Sequence, residues 1–180
     1  MRSLLITFIF FAVLAGIVAW LENGNPTRFE GRARVLDGDT ILLGGEKLRL
    51  AGIDAPEMSQ ICVLSGADWR CGEASKQALR DLIGRMEIYC VGQGRDQYDR
   101  WLATCHTDGQ NINVWLVKQG WAVDYGGYAG EEGEARRNRV GLWRSTFDYP
   151  QDWRRLNRSD ASAPPQDMQS WYSRITAWFE

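Results

Sequence analysis

The feature that most constrains this chain is a succession of short β-forming runs set off by tight-turn residues, with one helical pattern between the third run and the fourth. Phe29 to Leu36 reads as a strand with mixed alternation, ending at the turn Asp37-Gly38-Asp39. Thr40 to Leu43 is a second strand, closed by the hairpin pair Gly44-Gly45, and Lys47 to Ala51 a third. Asp54 to Gly66 reads as loop, because Pro56 has no N–H to give a central ladder. From Cys71 to Gly84 the spacing becomes helical, with Ala74, Ala78, Leu79, Leu82 and Ile83 recurring and Gly84 as the stop. Met86 to Val91 and Arg100 to Thr107 return to strand, with a polar turn between them. Asn113 to Gln119 follows as a helix capped by Asn111 or Asn113 and stopped by Gly120, and Glu131 to Arg139 is a third helix. This order suits a mainly β fold with helices: a small five-stranded barrel plugged at one end by a helix, the OB architecture.

The flanks differ from this middle. Leu4 to Leu21 is apolar except for Thr7 and Gly16, with Arg2 ahead of it and Glu22-Asn23-Gly24 behind. As a helix it would rise about 27 Å, close to the roughly 30 Å of a bilayer's hydrocarbon core. Residues 1–23 are therefore expected to be an apolar helix acting as a membrane anchor or a signal peptide. The remainder would then be exported: held at the outer face of the cytoplasmic membrane, in the periplasm, or secreted after cleavage. The barrel domain is expected over 28–146, and 147–180 reads as a linker and a Trp-rich tail, with Trp171, Tyr172, Ile175, Trp178 and Phe179 at mixed helical spacing. The four cysteines, Cys62, Cys71, Cys90 and Cys105, fit an oxidising location. Sequential pairing is expected, because Cys90 and Cys105 would join neighbouring strands. No short Cys-x2-Cys spacing favours a zinc site.

Charge sets a limit on function. The formal net charge is -2, and Arg28 to Arg144 holds 16 Lys+Arg against 17 Asp+Glu. A protein that grips nucleic acid by its backbone charge is usually basic, so any such role rests on local focusing in a cleft. The charged residues do cluster by topology. Asp37 and Asp39 lie in the first strand connection; Arg49, Asp54 and Glu57 follow the third strand; Tyr98-Asp99-Arg100 opens the fifth. Hard cations take oxygen ligands, which Asp39, Asp54 and the Ala55 carbonyl could supply. Glu57 could take a proton from water, and Arg49 and Arg100 can each fork onto phosphate oxygens. Asp37 suits a supporting role, accepting backbone hydrogen bonds. The one histidine, His106, reads as a bystander, and no Gly-x-Ser-x-Gly elbow is present.

Val35-Leu36-Asp37-Gly38-Asp39-Thr40, Arg49 to Glu57, Asp96 to Ala103, Asn113 to Ala122 and Gly141-Leu142-Trp143 together resemble the staphylococcal nuclease (thermonuclease-like) family, in order and with few gaps. The resemblance implies the five-stranded OB barrel and calcium-dependent cleavage of DNA and RNA with little sequence preference. It implies Asp39, Asp54 and the Ala55 carbonyl as calcium ligands, Asp37 as the supporting acid, Glu57 as general base or orienter of water, and Arg49 and Arg100 as phosphate clamps. Tyr98 resembles a tyrosine that contacts a terminal phosphate, and Tyr125 or Tyr128 one that flanks the nucleotide. Two positions depart: Asp99 stands where the family usually has glycine, and Ala55 where the secreted prototype has threonine. A non-catalytic OB module that binds nucleic acid, or an envelope-associated interaction protein, are the competing readings.

Overall fold

The computed structural model describes residues 2–22 and 26–161. Helix α1 (Arg2–Glu22) is followed by strands β1 (Thr27–Gly31), β2 (Ala33–Val35), β3 (Thr40–Leu43), β4 (Glu46–Leu50) and β5 (Ile53–Asp54). A hairpin of β6 (Cys62–Leu64) and β7 (Ala67–Trp69) leads into helix α2 (Cys71–Ile83). Strands β8 (Ile88–Arg95), β9 (Trp101–Thr107) and β10 (Gln110–Asn111) come next, then α3 (Ile112–Lys118), β11 (Val123–Asp124) and α4 (Ala129–Asn138). A 3-10 turn, Gly141–Arg144, connects to α5 (Pro150–Ala161).

The main sheet has seven strands in the order β1-β8-β9-β4-β3-β2, with β10 added to β9. Its pairs are antiparallel except β4 with β9. The two ends of that order, β1 and β2, are separated in the chain by Arg32 alone, so the sheet curls back toward itself. A curled mixed sheet with helices is consistent with an OB-like barrel. Ile41, Leu43, Leu48, Leu50, Ile88 and Ala103 project from it into one core, joined by Leu79 and Ile83 of α2 and by Ile112, Leu116 and Val117 of α3.

Several local devices fix the strand ends near which charges gather. Asn111 caps α3, its side chain accepting the Val114 N–H. Asn113 is fully buried instead: its amide donates to the carbonyls of Ala51 and Ala103 and its oxygen accepts the Cys105 N–H, tying the end of β4 to β9. Gly38 is required by packing, since a Cβ there would lie 2.7 Å from the Ala55 Cβ and overlap Ser75 Oγ. Cys90 and Cys105 are cross-strand partners and form one disulfide; Cys62 and Cys71 form the other, clamping the β6–β7 hairpin to the start of α2.

Three expectations are revised. Residues 54–66 are not wholly loop. Ser65 and Gly66 both take positive φ, 53° and 81°, which is the backbone of a tight hairpin, and β6 and β7 pair across it. The strand expected over 29–36 is divided at Arg32, one half pairing with β8 and the other with β3. The membrane anchor at 1–23, and membrane attachment through it, are not supported: among the described residues, no helix is long and apolar enough to cross a membrane. At the other end, Pro150–Ala161 is a helix, whereas Trp171 and the rest of the aromatic tail lie outside the described residues.

Candidate active site

Six parts of the chain meet at one open cavity of about 730 Å³. The β2–β3 connection brings Asp37 and Asp39, β4 brings Lys47 and Arg49, and the segment after β5 brings Ala55, Pro56 and Glu57. The β8–β9 turn contributes Asp96, Gln97, Tyr98 and Arg100. Tyr125, after β11, and Arg154, from α5, complete the lining. Asp54 is buried at the edge of this group, 1% exposed.

The acidic side is built by short-range geometry. Asp37 Oδ1 accepts the Asp39 N–H at 3.0 Å, which orders the Asp-Gly-Asp turn. Asp39 is buried; its Oδ1 accepts the Thr40 hydroxyl at 2.9 Å and its Oδ2 the Ala55 N–H at 3.3 Å. Arg49 Nη2 spans both inner carboxylates, 2.9 Å from Asp39 Oδ2 and 2.7 Å from Asp54 Oδ1. Burial pushes the Asp39 carboxyl up to about 7; the Arg49 charge and the Ala55 N–H oppose this, and Asp37 and Asp54 add to it. Two buried carboxylates thus share the Arg49 guanidinium.

The second arginine is held separately. Arg100 donates from Nε at 2.8 Å and from Nη2 at 2.7 Å to Asp96 Oδ2, while Asp96 Oδ1 accepts the N–H groups of Tyr98 and Arg100. Tyr98 is exposed, and its ring lies 5.3 Å from the Arg100 guanidinium. Asp99 turns away from Arg100 and pairs with Arg95 at 3.0 Å. Its backbone takes φ 60°, the left-handed conformation that glycine would adopt freely.

The third arginine was not signalled by any motif. Arg154 Nη1 and Nη2 bind Asp54 Oδ1 and Oδ2, each at 2.9 Å, and Nη1 also reaches Glu57 Oε1 at 2.9 Å. The Asp54 hydrogen bonds raise its pKa, against burial and together with Glu57. Arg154 lies 100 residues from Asp54 in the chain, so no local spacing could reveal it. Asp96 was within reach of sequence reasoning, because Asp followed two and four residues later by unpartnered turn N–H groups is an Asx-type pattern.

The cavity brings together Asp37, Asp39, Arg49, Ala55, Glu57, Tyr98, Arg100 and Tyr125. Tyr128 is turned to the core, where its ring packs close to Gly52, so of the two later tyrosines only Tyr125 lines the cavity. His106 lies on β9 outside it. Among the described residues, no group of three or more His, Cys, Asp or Glu could hold a metal ion. Any cation here would therefore draw on few carboxylates plus neutral oxygens.

Residues 47–145 match the family model described as "Staphylococcal nuclease homologue". The chain belongs to the staphylococcal nuclease family. It is 39% identical over 146 residues to the succinoglycan biosynthesis protein ExoI of Rhizobium meliloti, covering 77% of this chain and 76% of that one. It is 36% identical to an uncharacterized endonuclease of Haemophilus influenzae, over 69% and 72% of the two chains. With a micrococcal nuclease of Shigella flexneri it shares 33% identity over 82% of this chain and 93% of the other. The matched family region ends before α5, so Arg154 enters the cavity from outside it.

Proposed function

We propose that this protein hydrolyses phosphodiester bonds of DNA or RNA, with calcium and little sequence preference. The observation that carries the reading is the convergence of Asp39, Arg49, Glu57 and Arg100 on one solvent-open cavity, in a chain of the staphylococcal nuclease family. The curled sheet is read as its five-stranded OB barrel, with β1 and β2 counted as one strand bent at Arg32 beside β3, β4, β8 and β9.

Calcium suits the donor set. Asp39 and Asp54 are buried hard-oxygen donors bridged by Arg49, and a bound cation would offset the burial that pushes the Asp39 carboxyl up. Asp39, Asp54 and the Ala55 carbonyl would hold it, and when bound it supplies Lewis acidity and charge neutralisation at the phosphate. The chain's own groups do the rest. Glu57 orients the attacking water and accepts its proton as the water oxygen bonds to phosphorus and the ester P–O bond breaks. Arg49 and Arg100 donate to the non-bridging oxygens, where charge accumulates. Tyr98 and Tyr125, 61% and 63% exposed, offer faces on which bases or sugars can rest. The cavity lining has four basic and four acidic residues, so grip on a polyanion should be modest.

An exported location is part of the proposal, supported by the Cys62–Cys71 and Cys90–Cys105 disulfides. The test of the chemistry is cleavage of DNA and RNA in millimolar calcium by the wild type, Glu57→Ala and Arg100→Ala. Each substitution should lower the rate by about a hundredfold or more. Unchanged rates in both variants would remove these residues from the mechanism.

A further inference from the structure

We propose that Arg154 is a third functional arginine of this site, one that holds Asp54 and Glu57 in the absence of a divalent cation and is exchanged for the cation when it binds. The inference rests on the calcium reading above. Its ground is geometric. Both carboxylate oxygens of Asp54 are engaged by the Arg154 fork, and one of its nitrogens is shared with Glu57. Asp54 is 1% exposed, so these oxygens have no alternative access to water. Three guanidinium N–H groups, one from Arg49 and two from Arg154, already contact the Asp54 oxygens, so a cation that takes both oxygens must displace the Arg154 fork. The acids assigned to cation and water are thus the ones Arg154 neutralises.

The attachment of α5 makes such an exchange feasible. The helix is fastened through its N-terminal approach. Gln60, fully buried, donates to the Asp148 carbonyl at 2.7 Å, and Tyr149 packs on Trp143 and Phe147. Arg154 is a turn further on, with its side chain 29% exposed. A long side chain can therefore leave Asp54 while the helix stays anchored. The fork ties Asp54, which also pairs with Arg49, to Glu57, and its charge opposes an arriving cation.

The test is calcium binding by titration calorimetry to the full chain without nucleic acid, comparing wild type, Arg154→Gln, Arg154→Lys and Asp54→Asn. Arg154→Gln should bind calcium about ten to a hundred times more tightly than wild type, because a unit charge next to two acids is gone. Arg154→Lys keeps the charge but loses the fork, and should fall between them. An affinity of Arg154→Gln equal to or weaker than wild type overturns the exchange. If that variant does not fold, Arg154→Lys decides alone, and an affinity no tighter than wild type overturns it. Calcium binding by wild type that Asp54→Asn abolishes, with no response to Arg154, would sink the exchange and leave the calcium site standing. Absence of binding in every variant would remove the site itself.

Discussion

Replacing Asp96 by asparagine removes the support of Arg100 without touching the other acids of the cavity. Asp96 Oδ2 takes two hydrogen bonds from the Arg100 guanidinium, at 2.8 and 2.7 Å, and Oδ1 takes the Tyr98 and Arg100 N–H groups at 2.9 and 3.0 Å. Asparagine can keep its oxygen on the turn, but its NH2 then faces the guanidinium donors. Charge-assisted bonds contribute about 1.5–3 kcal/mol when shielded. Here the two side chains are 19% and 15% exposed and form a single ion pair, so about 2 kcal/mol for the pair together is expected. That corresponds to a Tm lower by roughly 4–8 °C. Burial pushes the Asp96 carboxyl up, but the hydrogen bonds from Arg100 and Tyr98 and the Arg100 charge outweigh it and hold the pKa below its ordinary 3.8. A depressed carboxylate pKa contributes stability that is present above the unfolded value and is lost as pH falls through the folded one. The stability gap between wild type and Asp96→Asn in urea titrations should thus be full at pH 6–7 and close below about pH 4. No gap at neutral pH, or one unchanged down to pH 3, would refute the reasoning.

Other substitutions probe different supports of the same site. Removing the Cys90–Cys105 disulfide by Cys→Ala at both positions opens a loop with a separation of 15 residues and should cost about 3 kcal/mol, against about 2.6 for Cys62–Cys71, both read from denaturant midpoints. Gly72→Ala would drive a Cβ into the Glu57 carbonyl, with the Glu57 carbonyl carbon 2.7 Å away; it should destabilise by more than about 2 kcal/mol and depress cleavage, and a stable, fully active variant contradicts this. Asp99→Gly relieves a left-handed backbone while losing an exposed ion pair to Arg95, so chemical denaturation should show a change within about 1 kcal/mol, whereas Asp99→Val should be clearly destabilising.

The parts legible in the sequence are those coded by neighbours in the chain. Asp37-Gly38-Asp39 and Gly44-Gly45 mark real turns because their signals are local: Asp37 accepts the Asp39 N–H, and Gly44 and Gly45 take positive φ. The helical spacing from Ala74 to Ile83 marks α2 because one face must meet the core, and Leu79 and Ile83 do. The β6–β7 hairpin carried only a weak signal, Ser65-Gly66 between two three-residue strands, too short for alternation to register. The bend at Arg32 depends on two separate partners, β8 and β3, and its one sequence mark is the adjacent Gly31, which takes φ 131°. Arg154 was the least legible of all. Its partners are 97 and 100 residues away, and its segment reads as polar and charged until folding lays α5 beside Asp54 and Glu57. Arg49 could be placed near both acids from strand order alone, but not the fact that it bridges them.

The central claim, that this cavity cleaves phosphodiester bonds with calcium, is met most directly by incubating the purified full chain with DNA and with RNA in millimolar calcium and again with a calcium chelator. The account predicts cleavage of at least one polymer with calcium and its loss on chelation. No cleavage of either polymer, or cleavage indifferent to chelation, would contradict it.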